Sequence, residues 1–279
     1  MKSAAPVVPP DVLVEKTPEP SPRQRLGRYL LTVFAVTVVE AHRIRREPSV
    51  LLTRAAQPLL WLLVFGAAVS RVRDIGVPDI DYQSFIVPGV IAQSVLFVAI
   101  FSGLAVIWER DLGMPQRTLV APVARSAIIL GKSVGAGLRA LTQVVLVLAV
   151  VRIVGIPLAW SVPGLLGALF AIVLGAALFS CVSMVIASIV RSREHFMGIG
   201  QLVTLPLFLA STALYPISLM PAWLRAVAQA NPLTYEVELL RRFLLDFGPD
   251  RLVRDLILLV LATAAATVVA SWAYPRRVM

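Results

Sequence analysis

The sequence predicts an all-α membrane protein with six transmembrane helices, an N-terminal interface helix and an external helical hairpin between spans 5 and 6. Two observations indicate this class. The 279 residues are 58% hydrophobic and 15% charged, with a mean hydropathy of +0.83, whereas soluble domains are nearer half apolar and a quarter charged. The apolar residues also lie in runs of about 20, the length that crosses about 30 Å of hydrocarbon.

The N-terminal region precedes these spans. Residues 1–22 are rich in Pro, Val, Glu and Ser, a composition typical of a disordered tail. The apolar run over 29–39 is too short to cross a bilayer, and arginines flank it on both sides. We therefore predict an interfacial helix over 24–46, anchored at its end by Arg43, Arg45 and Arg46. A cleaved signal sequence is the alternative for this segment.

Six longer apolar segments predict the spans of one membrane domain over 23–279. Their approximate bounds are 50–70, 83–107, 133–154, 163–189, 197–216 and 255–274. Their larger polar groups are Gln57, Gln93, Gln143 and Gln201. If these spans line a pathway through the membrane, their mainly aliphatic surface would suit a lipid-like or amphipathic hydrophobic molecule better than a sugar chain.

The distribution of charge predicts the orientation. If both termini are cytosolic, the inside segments hold sixteen Lys and Arg residues against eight in the outer segments, as the positive-inside rule requires. Because the basic residues flank apolar spans, the net charge of +10 does not indicate nucleic-acid binding. Alanine-, valine- and arginine-rich usage suggests a bacterial source. We therefore predict a multi-pass protein of the bacterial inner membrane.

Gly131-Lys132-Ser133 resembles the end of a nucleotide-binding P-loop. A complete motif needs glycine five positions before Gly131, where Ser126 stands. The following residues enter the membrane, whereas a P-loop opens a soluble helix. We therefore interpret Lys132 as an interfacial anchor and the glycines as positions of close helix packing.

The spans also lack groups that would supply energy or catalysis. The acidic residues lie outside the apolar cores of the spans, which counts against an ion-coupled carrier. No filter-like segment or catalytic set indicates a channel or an enzyme. The single cysteine, Cys181, excludes an intrachain disulfide and a cysteine metal cluster, so we expect no metal or cofactor on this chain.

Two connections carry more pattern than ordinary loops. On the predicted cytosolic side, Glu109, Arg110 and Asp111 end span 2, Gly113 and Pro115 break the helix, and a second short helix is predicted over about 122–132. We call residues 108–132 the elbow. Its charged, compact character suits docking of another protein, although a solvated loop is the simpler alternative.

The external connection, residues 217–254, predicts two helices. Met220-Pro221-Ala222-Trp223 opens the first, and Asn231-Pro232 has the form of an N-cap followed by proline at the first helical position. The second helix is amphipathic. Its predicted apolar face holds Leu233, Val237, Leu240, Leu244 and Phe247, and its predicted polar face holds Glu236, Glu238, Arg241, Arg242 and Asp246. Gly248-Pro249 is predicted to end it, and its apolar face is expected to lie on lipid or cap the bundle.

These residues resemble the type-2 permease family of ABC exporters, including daunorubicin-resistance-type permeases. The resemblance covers about 24–279 and rests on two motifs. The elbow motif comprises Glu109, Arg110, Asp111, Gly113, Pro122, Arg125, Gly131 and Lys132, and the external motif comprises Pro221, Trp223, Leu224, Asn231, Pro232, Leu233, Tyr235 and Arg241. Asp111 replaces the family's usual glutamate, and Met114 to Arg117 depart from its pattern.

The resemblance implies a half-transporter in the lipid membrane that works as a homodimer or with a related permease. It further implies a separate ATP-binding cassette subunit that binds ATP and Mg, so this chain itself is not an enzyme. The residues implied to couple to that subunit are Glu109, Arg110, Asp111, Gly113, Arg117, Pro122, Arg125, Arg43, Arg45 and Arg46. The implied activity is export of a hydrophobic drug or lipid-like substrate. The alternatives are a polysaccharide exporter permease, an assembly or channel-like protein without an ATPase, and a secondary carrier.

Overall fold

A computed structural model describes residues 22–46, 55–69, 80–111, 125–190, 192–247 and 251–277. These residues form nine longer helices, one 3-10 turn at Ile217–Leu219 and no strand. The helices are α1 (Pro22–Arg46), α2 (Ala55–Val69), α3 (Tyr82–Asp111), α4 (Arg125–Val154), α5 (Val162–Ile189), α6 (Arg193–Leu209), α7 (Ala222–Ala230), α8 (Pro232–Leu245) and α9 (Leu252–Arg277).

Four of these helices are long and apolar enough to cross a membrane. They are α3, residues 126–154 of α4, α5, and residues 252–273 of α9. The described part of α2 has 15 residues, including a π-helical turn at Trp61–Phe65. Helix α6 has 17 residues, or about 25 Å at 1.5 Å per residue, less than the hydrocarbon thickness. The all-helical membrane fold is confirmed, and the count of six spans stays a prediction.

Helix α5 is the centre of the bundle and packs against α3, α4, α8 and α9. A close crossing joins α3 to α5 at Gly103, where the backbone N–H donates to the Ser183 hydroxyl at 2.9 Å. A Cβ on Gly103 would lie 2.2 Å from that oxygen. Small residues at such crossings let two helix backbones approach, as is typical of membrane bundles.

The two ends of the bundle are distinct. At the elbow end, α3 ends at Asp111, α4 begins at Arg125, and α6 begins at Arg193 beside them. At the hairpin end, α3 begins at Tyr82, α4 ends at Val154 and α5 begins at Val162. The hairpin itself consists of α7 and α8.

The structure corrects the predicted break at Lys132. Instead of a short helix over 122–132 followed by a span, α4 is continuous from Arg125 to Val154. Gly131 and Gly135 lie within this continuous helix, where their lack of a side chain leaves room for α1. A Cβ on Gly131 would lie 2.7 Å from Cβ of Val36, and one on Gly135 would lie 2.6 Å from Cβ of Glu40. Helix α1 therefore packs along α4 through these glycines.

Span 5 is also shorter than predicted. Helix α6 ends at Leu209 rather than near 216. Pro206 lies in its last turn, and the Ala210 N–H bonds back to the Pro206 carbonyl at 2.8 Å. The chain then runs irregularly through buried Ser211 to Leu214. It packs so closely on α3 that a Cβ on Gly89 would lie 2.3 Å from the Ala213 carbonyl oxygen.

Candidate functional site

The elbow end joins α3, α4 and α6 through ion pairs. The first links α3 to α4, where Lys132 Nζ donates to Glu109 Oε2 at 2.5 Å. Both side chains are only partly exposed, at 12% for Lys132 and 19% for Glu109. Partial burial reduces solvent screening and strengthens a charge-assisted hydrogen bond. Lys132 thus fixes α4 to the last turn of α3.

The second pair links α3 to α6. Arg193 donates from Nη2 and Nε to Asp111 Oδ2, at 3.0 and 3.2 Å. Its guanidinium also lies 3.8 Å above the Trp108 ring. Arg110, between these residues, donates to the Val190 carbonyl at the C-terminus of α5, at 3.0 Å. The last turn of α3 therefore contacts α4, α5 and α6 together, so a displacement of this turn would act on three helices.

The structure covers the remaining predicted coupling residues only in part. Gly113, Arg117 and Pro122 lie outside the described residues. Arg125 begins α4, and Arg43, Arg45 and Arg46 end α1, but their side chains also lie outside the described part of the chain.

Sequence reasoning missed one ion pair beside the elbow. Arg139 Nη1 of α4 lies 2.9 Å from Glu40 Oε2 of α1, and the Glu40 residue is 3% exposed. Breaking a buried pair leaves an uncompensated charge, which is strongly destabilising. A signal was available, because a lone arginine inside an apolar span requires a partner. The pair and the two glycines hold α1 against α4.

At the hairpin end, the predicted cap between α7 and α8 is present. The Asn231 side chain accepts from the Leu233 N–H at 3.0 Å, and Pro232 occupies the first position of α8. Asn231 Nδ2 also donates to the Leu207 carbonyl at 2.7 Å. The same residue therefore begins α8 and ties it to the end of α6.

The structure places α8 inside the bundle rather than over it. Its buried faces pack on α3, α5 and α9. Phe243 lies against Gly164 and Gly167 near the start of α5, whereas Glu236 lies against Gly175. Gly175 is about 20 Å along α5 from Val162, at 1.5 Å per residue. The hairpin thus enters from its own end of the bundle and reaches about half the length of α5.

This insertion corrects the predicted polar face of α8. Glu236 and Arg241 were expected on the solvated side, yet they are 0% and 3% exposed. The helix also ends at Leu245 rather than at Gly248-Pro249, because Asp246 adopts a left-handed conformation with φ of 52°. The expected apolar residues Leu233, Val237, Leu240 and Leu244 are buried.

Arg241 is bound on several sides. Its Nη1 donates to Glu238 Oε1 at 3.0 Å and its Nη2 donates to the Thr212 carbonyl at 2.9 Å. Its guanidinium lies 4.0 Å above the Phe85 ring of α3. Arg241 therefore connects α8 to α3 and to the irregular segment after α6. Burial lowers the pKa of its guanidinium, while the Glu238 carboxylate opposes that shift.

Glu236 is unlike Arg241. Within the residues that the structure describes, neither oxygen of its buried carboxyl has a hydrogen-bond partner. Burial raises the pKa of this carboxyl, which lies on the non-spanning helix α8, well above its usual value. The cause is that ionisation of an unpaired carboxyl in an apolar site is costly.

The other predicted hairpin residues lie at the start of the two helices. Pro221 precedes α7, and Trp223 in its first turn is 69% exposed. The Tyr235 hydroxyl of α8 donates to the Gln229 carbonyl of α7. This bond closes the turn between the two helices, while Trp223 presents an apolar ring on the outer surface of the hairpin.

Comparison with known proteins identifies the fold. The sequence model of the ABC-2 type transporter family matches residues 32–245. The chain belongs to this family. It is 30% identical over 206 residues to the protein named "Putative transport permease ycf38" of Cyanophora paradoxa, covering 71% of this chain and 69% of that protein.

Two bacterial relatives carry transport names. The protein named "Probable multidrug ABC transporter permease YbhR" of Escherichia coli (strain K12) is 29% identical, over 72% of this chain and 55% of its own length. The daunorubicin resistance ABC transporter permease protein DrrB1 of Streptomyces coeruleorubidus is 22% identical, over 67% and 66%. Family membership makes this chain a membrane permease of an ABC transporter rather than an enzyme, and implies pairing with an ATP-binding cassette subunit.

Proposed function

We propose that this chain is the membrane-spanning subunit of an ATP-driven exporter, and that a separate cassette subunit binds ATP and Mg and docks at the elbow end. The observation that carries the proposal is the last turn of α3. Glu109, Arg110 and Asp111 contact α4, α5 and α6 respectively. A push on this one turn would therefore move three helices, which is what a force-transmitting contact requires.

The proposed docking also sets which end of the bundle faces the cytosol. With the cassette subunit below the elbow end, that end is cytosolic and the hairpin end faces outward. The chain's basic residues favour this orientation, since cytosolic segments carry the excess of Lys and Arg. On this basis the protein lies in the bacterial inner membrane with both termini in the cytosol. Two permease chains, identical or related, would form the pathway.

The proposed cargo is a hydrophobic drug or a lipid-like molecule. The names of YbhR and DrrB1 concern multidrug and daunorubicin transport by those proteins, and they support the same class here. The mainly aliphatic spans of this chain favour such a cargo over a strongly hydrated sugar chain.

The test is ATP-driven transport in proteoliposomes that hold the permease together with a cassette subunit captured with it from native membranes. Glu109→Ala removes the α3–α4 pair, so ATP-driven transport should fall at least about ten-fold while membrane yield stays normal. Gln229→Ala, on an exposed residue of the hairpin end, is the control. Wild-type transport by Glu109→Ala would refute the coupling role. Transport that ceases when a proton gradient collapses, with ATP intact, would indicate a secondary carrier.

A further inference from the structure

Four glutamines of the apolar spans converge on one cavity. Each comes from a different helix, and the cavity that they line has a volume of about 450 Å³. The residues are Gln57 of α2, Gln93 of α3, Gln143 of α4 and Gln201 of α6. Ligand pockets for drug-sized molecules have volumes of about 300–1,000 Å³. Four carboxamides scattered over 145 positions of an apolar sequence thus form a single polar lining.

The cavity has an apolar wall beside its polar groups. Phe97 and Phe101 of α3 stack with their ring centroids 6.0 Å apart and an angle of 25° between the rings. Both rings line the cavity. Aromatic faces in this offset arrangement accept a further planar ring at low conformational cost. The cavity therefore suits a molecule with an aromatic or planar body.

Gln93 supplies the specific polar contact. It is 2% exposed, and its Oε1 has no hydrogen-bond partner within the described residues. A buried carbonyl oxygen without a partner is costly, and a ligand N–H or O–H would remove that cost. Gln93 lies about 16 Å along α3 from Tyr82, at 1.5 Å per residue, so the acceptor is near the middle of the span.

The lining of the cavity also determines which charge a ligand can carry. None of the described residues that line the cavity is ionisable. A cation bound here would lose its hydration without gaining a counter-ion, which is unfavourable in a low-dielectric site. The polar groups are amides and one hydroxyl, which bind neutral donors and acceptors.

We infer that this cavity is a binding site for a neutral, planar or aromatic amphipathic molecule that donates a hydrogen bond to Gln93. The inference rests on the proposed function, because it names the class of cargo for that exporter. It differs from a general preference for hydrophobic drugs, since it excludes cations and requires a hydrogen-bond donor.

Three related fluorescent probes separate these requirements. Dansylamide is neutral and donates from its sulfonamide, its N,N-dimethylsulfonamide analogue is neutral without that donor, and dansylcadaverine is a cation. Binding is measured on the full-length permease in nanodiscs without ATP or a cassette subunit, and the signal of empty nanodiscs is subtracted. Failure of ATP-driven transport would therefore leave this measurement unaffected, and failure of binding would leave the transport test unaffected.

The wild-type permease should bind dansylamide about ten-fold more tightly than the dimethyl analogue, because one buried hydrogen bond differs. It should bind dansylcadaverine more weakly than dansylamide. Gln93→Met keeps the side-chain length and should abolish the preference between the two neutral probes. Gln229→Met, on an exposed residue of α7, is the control and should preserve it.

Gln93→Glu provides a second test, in which the preference for the neutral probe over the cation should decrease. At alkaline pH its carboxylate should raise the affinity for dansylcadaverine relative to dansylamide, as a counter-ion is then present. Equal wild-type affinity for the two neutral probes, tighter wild-type binding of the cation, or a preference that survives Gln93→Met would each overturn the inference.

Discussion

The two ends of the bundle hold their charges differently. At the elbow end, the Asp111 and Arg193 side chains are each 39% exposed, and their ion pair joins separate helices. At the hairpin end, Arg241 and Glu236 are enclosed by protein. Water can replace an exposed pair at little cost, whereas buried charges permit few alternative arrangements. The Asp111–Arg193 pair can therefore break and re-form, whereas the Arg241 contacts at the hairpin end favour one fixed packing.

The largest expected effect is at Arg241. Arg241→Met should lower the free energy of unfolding by about 3 kcal/mol or more, because Glu238 and the Thr212 carbonyl lose their donor inside the protein. Thermal unfolding of the purified protein in detergent measures the change. The neighbouring Arg242→Met is the control, since the Arg242–Asp246 pair is exposed and 3.6 Å apart. Similar losses for both variants would contradict the contrast between buried and exposed charges.

A smaller effect is expected at Glu236, and it depends on pH. An unfolded glutamate titrates near pH 4.3, about its ordinary value, whereas burial raises the pKa of Glu236 in the folded protein. The folded state therefore binds more protons above that pH, and wild-type stability falls as pH rises toward the native pKa. Glu236→Gln should match wild type at low pH and exceed it at neutral pH.

The gain at Glu236 should grow as pH rises from the unfolded pKa toward the native pKa and should then stay constant. Thermal unfolding over a pH series measures it, with the exposed Glu194→Gln as the control. A Glu236→Gln protein that is less stable than wild type at neutral pH would show that the carboxylate is paired and charged.

The smallest effect on stability is expected at the elbow. Asp111→Asn should change the free energy of unfolding by less than about 1 kcal/mol, because the pair with Arg193 is solvent-accessible. High salt should erase even this difference. Unfolding temperatures at low and high ionic strength provide the measurement. A loss as large as that of Arg241→Met would remove the distinction between the two ends.

The start of α8 was predictable from the sequence. The Asn231-Pro232 cap depends on neighbouring backbone groups, so its sequence pattern was sufficient. Amphipathic periodicity likewise identified Val237 and Leu240 as core residues of α8. It misplaced Glu236 and Arg241, because three helices enclose α8 and bury its polar side as well. That enclosure is a tertiary property that a single helix pattern does not encode.

Breaks and contacts between distant segments were harder to predict. Glycine signals both a turn and close packing, and Gly131 and Gly135 serve the second purpose along an unbroken α4. The glutamines were recognised as unusual polar groups, but their convergence on one cavity depends on how four helices pack. The Glu40–Arg139 pair joins segments 99 positions apart and likewise required the fold.

The central claim is that the cassette subunit docks at the elbow end, and single-cysteine cross-linking tests it most directly. Cys181 is buried and the sequence contains no other cysteine, so Cys181→Ser provides the background. Glu194→Cys reports the elbow end and Trp223→Cys reports the hairpin end. With a cassette subunit captured together with this chain from native membranes, a short reagent that joins a cysteine thiol to a lysine amine should cross-link the first variant and leave the second unlinked. Cross-linking through Trp223→Cys alone would contradict the account.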